Sequence, residues 1–339
     1  MRIHLRLRSR PRSPRSSVAV VCAAAVAGLG LMSPSPARAV DGQAWVEDVG
    51  VTYQAPACAV SKTGSDTAGD VYRPANPPPG PLPVVVYVHG GAFIGGARTA
   101  SDNEVIAEEL ATLGYVTYNI DYCLANPTAH PPVAGFPVQV ADVMDAVRAL
   151  SKPGFDGGRV DVDPSRVAVW GGSAGATLAA ETGVALGHTG ATPVAAMVGW
   201  SGGYDFLDFR DGNPQAEKDA QAFLGCDPQT NKSASCQSRA REGSGALNVS
   251  ATTPPMSLWN SSAELVPITQ WQDMKAALTA AGIPNSPHEL IGHLHSNAYT
   301  HQAFCPTVTF LTTYLGPYTG TCMPPPNPGG SAASRGTRP

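Results

Sequence analysis

From Asp70 to Tyr314 the chain alternates short β-branched runs with longer helix-like stretches, and that alternation restricts the fold more than any other feature. Runs such as Val84-Val85-Val86-Tyr87-Val88 are apolar at every position, so each strand must be covered on both faces. Helices lying between such strands supply the covers, which predicts an α/β architecture built on a mostly parallel sheet. Strands are expected at Val84 to Val88, Tyr115 to Asp121, Val167 to Trp170, Ala195 to Trp200, Met256 to Trp259 and His288 to Ile291. Helices are expected from a Ser101 cap to Leu113, from Phe136-Pro137 to Leu150, from Ile268 to Ala280 with a stop at Gly282, and from Ala303 to Tyr314.

The alternation fails between Gly202 and Thr253, a stretch holding Phe206, Leu207, Phe209 and Phe223 together with Cys226 and Cys236. Aromatic content and a nearby cysteine pair argue against disorder, and long inserts in compact domains are usually functional. A small lid over the active site is the expectation.

Residues 1–39 read as a removable secretory signal: arginine-rich Met1 to Arg15, apolar Val18 to Met32, and the small-residue site Ala37-Arg38-Ala39. Its apolar core falls short of the roughly 20 residues of a membrane span, so a secreted catalytic domain at 40–323 is expected, with no stable membrane insertion. Pro324 to Pro339, rich in Pro, Gly and Ser, reads as a disordered tail. Loss of the leader's seven arginines would leave 15 basic against 26 acidic side chains, formally −11. An acidic surface without a basic stripe argues against nucleic acid as a partner. Six cysteines then remain, an even number in an exported chain, and disulfides follow. Nearness in sequence pairs Cys226 with Cys236 and Cys305 with Cys322, leaving Cys58 for Cys123, although six cysteines permit other pairings. Irregular spacings without Cys-x-x-Cys speak against zinc, and no metal or organic cofactor is expected.

One pentapeptide carries nucleophile chemistry. Gly171-Gly172-Ser173-Ala174-Gly175 stands between the Val167 to Trp170 strand and a helix-permissive run, the order that exposes a serine Oγ at a sharp turn. His89-Gly90-Gly91-Ala92-Phe93 follows another strand, and the N–H groups of Gly90 and Gly91, with that of Ala174, are the expected oxyanion donors. A base belongs on a late loop after the last strand, where His295 is favoured over His293, with His301 assigned to the last helix. The acid is the open position: Glu264, in the loop after Met256 to Trp259, is the first choice, Asp205 the alternative, and Asp273 follows. Glu264 could equally be a helix-start residue that favours the dipole.

These motifs together resemble the α/β-hydrolase superfamily, and within it esterases of the hormone-sensitive-lipase type and their feruloyl-esterase-like relatives. Asp121-Tyr122, Phe136-Pro137 with Asp142, Pro254-Pro255, Leu265-Val266-Pro267 and Gly292-His293-Leu294-His295 extend the likeness across Val71 to Leu315. The resemblance implies an eight-stranded sheet, Ser173 as nucleophile, Gly90 and Gly91 in the oxyanion hole, and cofactor-free hydrolysis of small-molecule or polysaccharide-linked carboxylic esters. It also marks three departures, of which Ala176, where a glycine often follows the elbow, is mild. Ala263 stands where the family commonly has an aspartate, and Cys123 where it often has an arginine that braces the oxyanion loop, a task a disulfide could assume. Loss of the acid would leave a non-catalytic binding protein on the same fold, and an exported peptidase or amidase is a further alternative.

Overall fold

The computed structural model describes residues 38–40, 43–53, 58, 67–130, 132–189, 194–209 and 213–325. All but two residues of the expected leader, and the tail beyond 325, lie outside the described residues. In chain order the regular elements are β1 Arg38–Val40, β2 Gln43–Thr52, β3 Ala68–Pro74, β4 Leu82–Val88, α1 Ser101–Thr112, β5 Val116–Ile120 and α2 Val138–Ala149. They continue with β6 Val162–Gly172, α3 Ala174–Thr189, β7 Ala196–Trp200, α4 Pro214–Leu224, α5 Ala234–Glu242, β8 Met256–Ser261, α6 Ile268–Ala280, β9 Asn285–Leu290 and α7 Thr300–Leu315.

Among the described residues, the nine strands form one sheet in the order β1-β2-β3-β5-β4-β6-β7-β8-β9. From β5 to β9 every neighbouring pair is parallel, while β1, β2 and β3 join antiparallel at one edge. Three-residue β1 extends the expected eight strands to nine. Side-chain parity explains why β4 is apolar throughout. Val84, Val86 and Val88 enter a core beneath α2, α3 and α6, where Val143, Leu178 and Met274 are buried. Val85 and Tyr87 enter the opposite core beneath α1 and α7, with Leu110, Phe304 and Leu311. A strand buried on both faces has no polar positions to spare.

Ser101 does not cap α1. Ala100 occupies the cap in extended conformation with no side-chain bond, and Asn103 Nδ2 instead donates to Ala97 O at 2.9 Å. The first turn carries Asp102 and Glu104, whose charges favour the helix N-terminus. Strand β2 holds Glu47 and Asp48 and a register shift between Asp48 and Val51, so it lacks the alternation by which an edge strand is recognised.

Among the described residues three disulfides are present: Cys58–Cys123, Cys226–Cys236 and Cys305–Cys322, with Cα separations of 5.5, 6.1 and 5.8 Å. The second staples the insert, where Phe223 of α4 is fully buried against Phe206, Phe136 and Phe93. Phe93 belongs to the glycine-rich loop after β4, so this aromatic stack seats the insert on that loop. Among the described residues no helix is long and apolar enough to cross a membrane.

Candidate active site

The parallel strands β4 and β6 end side by side, with Val88 paired to Gly171, and both lead into glycine-bounded turns. Ser173 sits at the bend between β6 and α3 with φ +55°, a conformation a serine adopts only when its surroundings impose it. Its N–H donates to Trp200 O at 2.7 Å, which fixes the bend. A Cβ at Gly175 would collide with the Val88 carbonyl oxygen, so only glycine lets α3 begin this close to β4.

His295 lies in the loop between β9 and α7. Its Nε2 is 2.9 Å from Ser173 Oγ and its Nδ1 is 2.6 Å from Glu264 Oε2. A carboxylate facing Nδ1 keeps the proton there, leaving Nε2 to accept from the serine hydroxyl. The Glu264 side chain is wholly buried and that of His295 is 26% exposed. Glu264 Oε1 accepts the Ser261 N–H at 3.0 Å, so both carboxylate oxygens are occupied. Ser261 Oγ donates to Leu294 O at 2.6 Å and Ala263 N–H to Gly292 O at 2.9 Å, tying the acid loop to the histidine loop. Ala263 is exposed, while the loop turns the Glu264 side chain inward to His295.

Asp205 is elsewhere. Its Oδ1 accepts the N–H groups of Leu207 at 2.9 Å and Asp208 at 3.3 Å, closing a turn at the start of the insert. His293 is exposed, Asp273 lies on α6 and His301 on α7.

Gly90, Gly91 and Ser173 border one cavity, and Ala174 borders the adjoining one. Gly91 has φ +124° and its carbonyl accepts from Ile94 N–H and Gly95 N–H, curling the loop. Two side chains missed by the sequence reading hold this loop in place. Gln139 Nε2 donates to Phe93 O at 2.7 Å and to Cys123 O at 2.8 Å. Arg98 pairs with Asp121 and, through Nε at 2.9 Å, with Asp70. The bracing arginine therefore comes from the loop itself, while Cys123 is anchored by its disulfide and by its N–H to Asp142 Oδ2 at 2.9 Å. Buried His89 stacks on Tyr122 at 4.3 Å, and burial lowers its pKa.

Asp219, from α4 of the insert, borders both cavities at Ser173. Burial raises its pKa, countered by a hydrogen bond from Gln215. The insert thus contributes a carboxylate that no motif announces.

The BD-FAE family model matches residues 70–278, more than half of the chain. The chain belongs to the BD-FAE family. It is an α/β-hydrolase. Among curated relatives, esterase LipC of Mycobacterium tuberculosis is 33% identical over 148 residues, covering 41% of this chain and 34% of LipC. Non-reducing polyketide synthase ascC of Acremonium egyptiacum is 33% identical over 138 residues, covering 40% of this chain and 6% of the synthase. The chain thus spans about a third or less of the length of these relatives. Of solved structures, a truncated carbohydrate esterase from gut microbiota superposes with a TM-score of 0.63 at 19% identity, covering 78% of this chain and 94% of that one. This BD-FAE member therefore shares the fold of that esterase over nearly the whole of its length.

Proposed function

We propose that this protein is an exported carboxylic ester hydrolase that works through an acyl-enzyme on Ser173. The observation that carries the reading is the continuous chain Ser173 Oγ to His295 Nε2 at 2.9 Å and His295 Nδ1 to Glu264 Oε2 at 2.6 Å. In that arrangement Ser173 Oγ attacks the ester carbonyl as its proton passes to His295 Nε2. Buried Glu264 stabilises the imidazolium that results. The carbonyl oxygen becomes an oxyanion facing the N–H groups of Gly90, Gly91 and Ala174, which no protein acceptor occupies among the described residues. Collapse breaks the bond to the alcohol oxygen, which leaves with the His295 proton. Water then attacks the acyl-Ser173 ester as its proton passes to His295; collapse breaks the acyl–Oγ bond, His295 returns the proton to Ser173 Oγ, and the carboxylic acid departs.

Esterase relatives in sequence and a carbohydrate esterase in structure support the reaction class. Three disulfides favour an oxidising compartment and hence export. The test is labelling with a serine-directed phosphonate, followed by peptide mapping, alongside turnover of p-nitrophenyl butyrate. Modification at Ser173 and loss of turnover in Ser173→Ala are expected. Undiminished hydrolysis by Ser173→Ala would overturn the reading.

A further inference from the structure

Two cavities meet at Ser173, and the position of the histidine separates their roles. A leaving alcohol collects its proton from His295 Nε2, so it must depart on the side where that ring is accessible. His295 borders the larger cavity, of about 540 Å³. It does not border the smaller one, of about 30 Å³, whose wall is mostly apolar, with Phe93, Phe206, Phe209 and Val266, and meets the larger cavity at Asp219, which borders both. The narrow apolar cavity suits the acyl chain and the wide cleft the alcohol.

The wide cleft is also charged. Asp102 from the first turn of α1 and Asp219 from α4 face it, and no lysine or arginine does among the described residues. Each carboxylate is held by an amide rather than a cation: Asn297 Nδ2 donates to Asp102 at 3.0 Å and Gln215 Nε2 to Asp219 at 2.8 Å. Amide donors orient a carboxylate without cancelling its charge. Asn297 is itself fixed, since its Nδ2 also donates to Asn103 Oδ1 at 3.0 Å and its Oδ1 accepts from Tyr87 Oη at 3.1 Å. A cleft lined by one sign of charge between low-dielectric walls focuses its potential on whatever enters.

We propose that Asp102 and Asp219 make the alcohol side charge-selective, admitting esters of neutral or cationic alcohols and rejecting alcohols that carry an anionic group close to the ester. The inference rests on Ser173 and His295 acting as proposed above. Two partly solvated carboxylates acting on one substrate charge correspond to a preference on the order of tenfold or more at low salt.

The experiment keeps the acyl group constant and varies the alcohol: butyrate esters of choline, of its neutral isostere 3,3-dimethylbutanol, and of anionic isethionate. The wild-type kcat/KM should fall at least about tenfold from the neutral to the anionic ester, with the cationic ester at or above the neutral one, and the gap should narrow as ionic strength rises to about 1 M. Asp219→Asn and Asp102→Asn, singly and together, should bring the neutral-to-anionic ratio progressively to within about threefold. The ratio is read within one variant, so partial loss of folded enzyme cancels. Equal turnover of all three esters by the wild type overturns the proposal, as does a preference that survives both substitutions. If none of the three esters is hydrolysed, the ester-hydrolase reading falls and this inference with it.

Discussion

Replacing Glu264 by glutamine tests the site at its most constrained point. The carboxylate serves two donors at once, Ser261 N–H at 3.0 Å and His295 Nδ1–H at 2.6 Å. An amide has one oxygen to offer. If that oxygen turns to His295, its NH2 meets the Ser261 N–H and leaves buried donors unsatisfied, at a cost of about 1–3 kcal/mol. If it turns to Ser261, the NH2 faces Nδ1, the imidazole takes the other tautomer, and Nε2 can no longer accept the Ser173 proton. The second orientation is favoured by that difference, which removes one to two decades of competent enzyme. The variant also loses the charge that stabilises the imidazolium. With Glu264 wholly buried and His295 26% exposed, an effective dielectric constant near 20 makes that attraction about 4 kcal/mol for charges about 4 Å apart. The two effects overlap, so kcat for p-nitrophenyl butyrate should fall by about 10³ to 10⁴ with KM little changed. Steady-state kinetics on Glu264→Gln, with melting curves to confirm folding, give the measurement. A fall of less than about thirtyfold in a natively folded variant would refute the reasoning. Asp205→Asn is the control: asparagine keeps the oxygen that accepts the Leu207 N–H, so activity should stay near wild type.

Other consequences of the structure can be checked separately. Gly175→Ala drives a Cβ into the Val88 carbonyl, a backbone atom that cannot rotate aside, and should cost about 1–3 kcal/mol, seen as a lower Tm; an unchanged Tm would count against the close approach of α3 to β4. Replacing Cys226 and Cys236 by serine opens a link of sequence separation 10, worth about 2–3 kcal/mol in chain entropy, and should make the insert the first site of limited proteolysis. Glu181 is buried on α3 with the Gly245 N–H to receive, and burial pushes its pKa from the ordinary 4.5 up to about 8. The folded state therefore keeps a proton that the unfolded state releases, so stability should decline as pH rises between those values, and Glu181→Gln should flatten the decline in urea midpoints. Parallel profiles for wild type and variant would remove Glu181 from that account.

The doubly buried strands were legible because burial on two faces leaves a local signature. Val84 to Val88 needs no partner to announce itself, and β4, β5, β7, β8 and the core of β6 all fall where the apolar runs are. The antiparallel edge was less visible. In β2 the charges of Glu47 and Asp48 are satisfied across the strand by Tyr72 and Arg73, which are more than twenty residues away in the chain, so a partner distant in sequence makes a strand of residues that carry no strand pattern. The α1 terminus failed for a similar reason: the backbone groups near Ala97 are served by Asn103 from within the helix, and the serine that matches a cap pattern lies one residue too late.

That Ser173 and His295 lie side by side was legible because each sits at a fixed offset from a strand end, and the sheet sets the distance between them. The acid could not be ranked in that way. Whether residue 263 or 264 points at the imidazole depends on the register between two loops, set here by Ala263 N–H to Gly292 O and by Ser261 Oγ to Leu294 O. Shifting that register by one residue would send Glu264 outward and bring Ala263 in, leaving the imidazole without a charge partner. The same holds for Asp219, which reaches the cleft from α4, where Phe223, one turn further along, stacks on Phe93 of the glycine-rich loop after β4. Contacts between loops therefore decide which carboxylates face Ser173, and mutations at Ser261 or Phe223 should alter catalysis or selectivity without touching a reacting atom.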